Sequence, residues 1–178
     1  AKANPGKLNF STAGIGNLTH LSGELLRSRA GIDFVSVHYR SGAESLNGVL
    51  GGQAQLTIDN VTAVRALVQE KRLRALAVTS ATRKPEFPDL PTLIEAGVPD
   101  YVVTSFFGVV APAGTPLPII SRLNAAINEA LKSEAMVASL KRLGAQPANE
   151  APEPFQALIA SDTKKWNEIA NSANIRLE

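Results

Sequence analysis

Between residues 8 and 78 the chain alternates short apolar, strand-like runs with loops of small residues and stretches of helical periodicity. Leu8 and Phe10 lead into STAGIG and a helix expected from Leu18 to Ala30, with Leu18, Leu21, Leu25 and Leu26 on one face and Gly31 as its stop. A strand is expected at residues 34–39. Ser41 and Glu44 have the spacing of a capping box, opening a helix that turns Leu46, Val49 and Leu50 inward and ends at Gly51 and Gly52. A third strand is expected at 55–58, and Asn60 is placed to cap a helix carrying Val64, Leu67 and Val68. A basic turn at Lys71 then leads to a fourth strand at 73–78. Such units in series give an α/β fold with a mainly parallel sheet and right-handed crossovers.

Beyond residue 80 the texture changes. ATRKPEFPDLPTL reads as an irregular connection, followed by a short helical piece ending at Gly97. VVTSFFGVVAPAG reads as an apolar strand crossing between lobes. Thr115 and Pro116 suit the N-cap and first helical position of a helix carrying Ile119, Ile120, Leu123, Ile127 and Leu131. Ser133 caps another helix, ending near Gly144, and a last one carries Phe155, Leu158, Ile159, Trp166 and Ile169, with Trp166 in the core. Residues 1–102 are expected to form a unit that folds independently. Residues 103–178, with the crossover strand and the helix-rich tail, are expected to belong to an incomplete second lobe whose apolar stripes favour self-association. The opening AKANPGKLNF resembles the tail of a helix entering a Pro-Gly turn, as expected of a piece of a longer chain.

The helix starts carry the functional signal. First-turn N–H groups have no helical partner and add partial positive charge, so anions bind there. Gly14 and Gly16 allow positive φ and close approach to the backbone, and Ser11, Thr12, Asn17 and Thr19 supply further hydrogen bonds. Neither phosphate motif fits: a P-loop needs Lys followed by Ser or Thr where Asn17 and Leu18 stand, and the dinucleotide fingerprint needs a third glycine where Thr19 stands. A carboxylate suits the loop better. Because ligands of parallel sheets lie beyond the carboxyl ends of the strands, STAGIGN, YRSGA, IDN and VTSA are expected to converge on one pocket.

Other chemistry finds little support. Of the 178 residues 19% are charged, the net charge is +2, and the basic residues are scattered, which gives nucleic acid no patch. There is no cysteine, so thiol catalysis and disulfides are excluded. His20 and His38 have no HxxxH or HExxH partner, and Asp59 is a single carboxylate, so neither a metal, a cofactor nor catalysis is expected. His20, on the first helical turn, suits ligand contact or capping; His38, in an alternating strand, suits a structural role; Asp59 suits hydrogen bonding to a ligand or between lobes.

LNFSTAGIGNLTHLSGELL, VHYRSGAESLNGVLGGQAQLTIDN, KRLRALAVTSATRKPEFPDLPTLIEAG and FFGVVAPAGTP together resemble the solute-binding proteins of tripartite tricarboxylate transporters, the Bug proteins. The resemblance covers essentially the whole chain. It implies a type II periplasmic-binding-protein-like fold closing on a small organic acid or amino acid in the periplasm, with membrane transporter subunits as partners. The family's first-lobe strand and glycine-rich loop, which hold one end of the solute, have no counterpart here. By the resemblance, contacts fall on Ser11, Thr12, Ala13, Gly14, Gly16, Thr19 and His20, on Tyr39, Ser41, Gly42 and Ala43, and on Asp59, with Ser105 and Phe106 on the hinge side. His38 stands where the family often has Pro, and Phe106 where it often has Trp, which leaves the solute open. The alternative expectation is the effector-binding domain of a transcriptional regulator, which shares the two-lobe architecture.

Overall fold

The computed structural model describes residues 1–148 and 150–176. The chain divides into two compact units, Ala1–Ser105 with Lys165–Glu178, and Phe106–Lys164.

In the first unit, three parallel strands form one sheet: β1 (Asn9–Thr12), β2 (Val35–His38) and β3 (Leu56–Thr57), in the order β2-β1-β3. β1 is central, with Asn9 to Thr12 opposite Val35 to His38 on one side and Phe10 and Ser11 opposite Leu56 and Thr57 on the other. Between the strands run α1 (Leu18–Ala30) and α2 (Gly42–Leu50), and α3 (Val61–Gln69) follows β3.

Successive side chains of a strand point to opposite faces, and β1 uses this to hold both helices. Phe10, fully buried, lies under Gly23 of α1, where an added Cβ would fall 2.6 Å from its ring. Ser11 points the other way, its hydroxyl 2.8 Å from that of Ser45 and donating to the Ser45 carbonyl of α2 at 3.1 Å. Phe10 also stacks on Phe34 at 4.9 Å, and the Arg27 guanidinium covers that ring at 4.7 Å. A second core gathers Leu25, Tyr101 and Val103, with Leu18, Ile58, Trp166 and Ile169 packed against it. Trp166, expected in the core, is partly buried and packs against it. Tyr101 is fully buried, and its hydroxyl donates to the Ser22 carbonyl at 2.9 Å.

The helix ends follow local chemistry. Gly31 closes α1 in the left-handed conformation (φ 58°), which a side chain would resist. Ser41 caps α2, accepting the Glu44 N–H at 3.2 Å, while the Glu44 carboxylate reaches back one residue further than expected, to the Arg40 N–H at 3.1 Å. Asn60 is the N-cap residue of α3 but makes no side-chain cap bond, because its carbonyl oxygen accepts from the Ser105 hydroxyl at 2.8 Å. Two expected strands do not form. Of residues 73–78 only Val78 pairs, in a single bridge to Thr92, and the run at 102–111 takes no ladder. A strand exists only where a neighbour takes its N–H and C=O groups, and among the described residues neither run has one along its length. The expected helical piece before Gly97 is a single turn, closed by reciprocal bonds between Thr92 and Glu95.

In the second unit, α4 (Leu117–Lys132) is followed by α5 (Glu134–Arg142) and by α6 (Pro152–Ser172), whose end belongs to the first unit. Pro116, not Thr115, is the N-cap residue of α4; the Thr115 hydroxyl donates back to the Pro112 carbonyl at 2.8 Å and so closes the preceding turn. Ser133 caps α5 as expected, accepting from the Met136 N–H. Phe106 meets Phe155 edge-on at 5.7 Å, whereas Phe107, Val109, Val110, Leu117 and Leu123 are exposed.

Gly23→Ala measures the seat of α1 on β1. Alanine favours a helix over glycine by about 1 kcal/mol, but overpacking a filled core costs about 1–3 kcal/mol, and the Phe10 ring is held by Phe34. Thermal unfolding should show a net loss of stability. A variant as stable as the parent chain would contradict this packing.

Candidate functional site

The loops after β1, β2 and β3 leave the same edge of the sheet, and contacts tie each to the next. The Tyr39 N–H donates to the Thr12 carbonyl at 2.9 Å, and a Cβ on Gly14 would stand 3.7 Å from the Tyr39 carbonyl oxygen. A Cβ on Gly42 would stand 3.9 Å from Asp59 Oδ2. Ser11, Thr12, Ala13, Gly14, Gly16, Thr19, His20, Tyr39, Ser41, Gly42, Ala43 and Asp59 therefore share one end of the sheet. This end is also the switch point of the strand order, since β2 lies to one side of β1 and β3 to the other. Ser105 adjoins it through Asn60. Phe106 belongs to the other unit.

Several of these residues act on the loop itself. The Ala13 N–H donates to the Thr19 hydroxyl at 2.8 Å, the Gly14 N–H to the Thr12 hydroxyl at 3.4 Å, and the Gly16 N–H to His20 Nδ1 at 3.1 Å. Asn17 caps α1, its side-chain oxygen accepting the Thr19 N–H at 3.1 Å. Gly14 and Gly16 both have positive φ, 131° and 71°, so the reading of a loop that needs glycine holds. The N–H groups at 13, 14 and 16, however, are already engaged by side chains. Among the described residues, those of Ile15, Leu18, Gly42 and Ala43 take no protein partner. The donor set for an anion is thus weighted toward the start of α2. Tyr39 packs its ring on α2, where a Cβ on Gly48 would meet its hydroxyl.

Beneath the loop lies a polar cluster. His20 is buried, and its ring meets that of His38 edge-on at 4.5 Å. His38 Nδ1 lies 2.7 Å from the Thr12 hydroxyl. His20 Nε2 faces Glu24 at 3.7 Å, and Glu24 pairs with Arg27 at 3.1 Å. Burial, reinforced by His38 and Arg27, lowers the His20 pKa from 6.5 to about 4; burial also lowers that of His38, against the pull of Glu24. Both rings are neutral at pH 7. Asp59 is the opposite case: its Oδ1 accepts the Asn60 N–H at 2.7 Å, its Oδ2 is buried without a partner, and burial raises its pKa despite that bond. Glu24, Arg27 and Ser45 were not singled out in the sequence, although the spacings His20-x-x-x-Glu24 and Glu24-x-x-Arg27 are those of neighbours on a helix face. Among the described residues, no His, Cys, Asp and Glu group could hold a metal ion, and no helix is long and apolar enough to cross a membrane.

A family profile described as tripartite tricarboxylate transporter family receptor matches residues 1–175. The chain belongs to this family. It is similar to a protein from the tcbD-tcbE intergenic region of Pseudomonas sp. (strain P51), 41% identical over 170 residues, which are 95% of this chain and 51% of that protein. Among solved structures it is similar to Rpa4515 of R. palustris with adipate, at 35% identity and a TM-score of 0.87, over 98% of this chain and 58% of that one. It is also similar to the periplasmic binding protein BugD, at 31% identity and a TM-score of 0.84, over 99% and 60%. The α/β fold with a parallel sheet is accordingly that of the family's periplasmic binding proteins, as the sequence motifs implied. The family's description is that of a receptor, not an enzyme. The chain spans about half the length of the curated relatives it matches.

The titratable groups set a pH dependence with a definite sign. A histidine whose pKa falls on folding takes up its proton more readily in the unfolded chain, so stability is lost as pH drops from 6.5 toward about 4. Asp59, raised on folding, works against this: the folded chain takes up its proton first, and stability is regained as pH falls. Melting temperature should therefore fall on acidification more steeply in Asp59→Asn than in the parent chain. Equal or reversed slopes would contradict the assignment of these environments.

Proposed function

We propose that the chain is part of an extracytoplasmic receptor that captures a small dicarboxylate in the periplasm and delivers it to a tripartite tricarboxylate-type transporter. The observation that carries this reading is the joining of three loops at one sheet edge, with the unpartnered N–H groups of Gly42 and Ala43 at the start of α2 beside the Gly14–Gly16 loop. The adipate held by Rpa4515 and the periplasmic setting of BugD support the solute class and the compartment.

In this reading the first unit supplies one wall of a cleft, and protein corresponding to the rest of the relatives' length supplies the other. Ser11, Thr12, Ala13, Gly14, Gly16, Thr19 and His20 shape the first loop, Tyr39, Ser41, Gly42 and Ala43 the second, and Asp59 the third. Ser105 and Phe106 lie on the hinge side. Arg and Lys are sparse in the loops, so one carboxylate is held by N–H groups and bridging water, not by an ion pair.

Gly42→Pro tests this with little risk to the fold. The extended backbone of Ser41 (φ −152°, ψ 162°) accepts a following proline, and proline is favoured at the first position of a helix. The substitution removes one N–H and should leave the melting temperature unchanged or raised. Calorimetry with adipate on the full-length receptor should show affinity reduced about tenfold or more, the value of a hydrogen bond to a charged group. The 178-residue chain alone should bind far more weakly. Unchanged affinity in Gly42→Pro would contradict the assigned donors.

A further inference from the structure

We propose that His20 is a positioning residue of the carboxylate site: it shapes the Gly14–Gly16 loop by accepting the Gly16 N–H at Nδ1, and it does not touch the solute. The proposal rests on the carboxylate-binding reading and adds a role that the reading does not contain.

The geometry defines one tautomer. Nδ1 lies 3.1 Å from the Gly16 nitrogen and accepts its hydrogen, so the ring proton resides on Nε2. Nε2 faces Glu24 Oε1 at 3.7 Å. Glu24 is in turn held by Arg27 at 3.1 Å and by the Ser36 hydroxyl, which donates to it at 3.4 Å. Arg27 extends the chain to Asp33 at 3.8 Å. On the remaining side stands the His38 ring of β2, edge-on, itself neutral and bonded to Thr12. Among the described residues, the charged or titratable groups facing His20 are Glu24 and Arg27 on its own helix and His38 on β2, with Asp33 reached through Arg27.

The consequence is local and directional. Gly16 sits at a φ of 71°, one residue before the N-cap Asn17. Fixing its N–H fixes the Ile15–Gly16 peptide plane and, with the Asn17 N–H donating to the Gly14 carbonyl at 3.3 Å, sets the turn that carries the Ile15 and Leu18 N–H groups, which take no protein partner. With only 6% of its surface exposed, His20 lies behind the loop and reaches a solute only through it. An imidazolium has no acceptor to offer, so protonation breaks the Gly16 bond and releases the loop. At neutral pH the buried ring stays neutral and the loop stays set.

The test separates this role from mere packing. His20→Asn places an oxygen acceptor close to the position of Nδ1, whereas His20→Leu fills similar space with no acceptor. Amide exchange of Gly16 in the 178-residue chain should quicken about tenfold in the leucine variant, the value of one lost hydrogen bond, and stay near the parent rate in the asparagine variant. Nitrogen-detected imidazole spectra should show the Nε2–H tautomer at pH 7, and the Gly16 amide shift should titrate together with His20 near pH 4. On the full-length receptor, adipate affinity should fall about tenfold for leucine and be restored by asparagine. An Nδ1–H tautomer, unchanged Gly16 exchange in His20→Leu, or loss of adipate affinity in both variants with Gly16 exchange at the parent rate would overturn the proposal. The last result would mean that the imidazole touches the solute. The exchange and tautomer measurements need no solute, so they decide the role of His20 in the loop even if a receptor that takes no dicarboxylate overturns the functional reading.

Discussion

The fold hangs on the four residues of β1. Asn9–Thr12 is hydrogen-bonded along both edges, and its side chains alternate between the two helices that cover the sheet. Phe10 sits under Gly23 of α1, and Ser11 bonds Ser45 of α2 on the other face. Thr12, next in line, already belongs to the candidate site: its hydroxyl meets His38 and takes the Gly14 N–H. The residue that ends the strand is therefore the first of the loop. A displacement of β1 would move both helices and the Gly14–Gly16 turn together, since no flexible spacer separates core from site.

The loops divide their N–H groups between two uses. Those at 13, 14 and 16 are taken by Thr19, Thr12 and His20, which makes the first loop a preset shape, while those of Gly42 and Ala43 take no protein partner and are the donors proposed for the solute. Preorganisation of this kind lowers the entropic cost of binding, because the donors need not be ordered when the solute arrives. Burying the two histidines lowers stability at acid pH, where the unfolded chain protonates them, and burying Asp59 Oδ2 without a partner lowers it at higher pH, where the carboxylate is ionised. Such sacrifices concentrate where a protein binds something.

What the sequence revealed was mostly what neighbouring residues decide between themselves. Gly31 stops α1, Ser41 caps α2 and Ser133 caps α5, because a cap involves only residues a few positions apart. The strands expected at 73–78 and 102–111 do not form for the opposite reason: apolar composition makes a run fit for a sheet, but only a distant neighbour makes it a strand. Asn60 shows the same limit, its cap bond diverted to Ser105, 45 residues away. Within the candidate site, the gathering of the three loops after β1, β2 and β3 followed from the βα pattern, whereas VTSA, expected to join them, follows a run that forms no strand. Which N–H groups the three loops leave open did not follow from it, since that depends on the rotamers of Thr12, Thr19 and His20.

The central claim is that the start of α2 and the adjoining Gly14–Gly16 loop form the dicarboxylate site. Titrating adipate into the isotope-labelled full-length receptor and following backbone amides tests it most directly. The account predicts the largest shifts at Ile15, Gly42 and Ala43. Binding that leaves those three amides unmoved while others shift would contradict it.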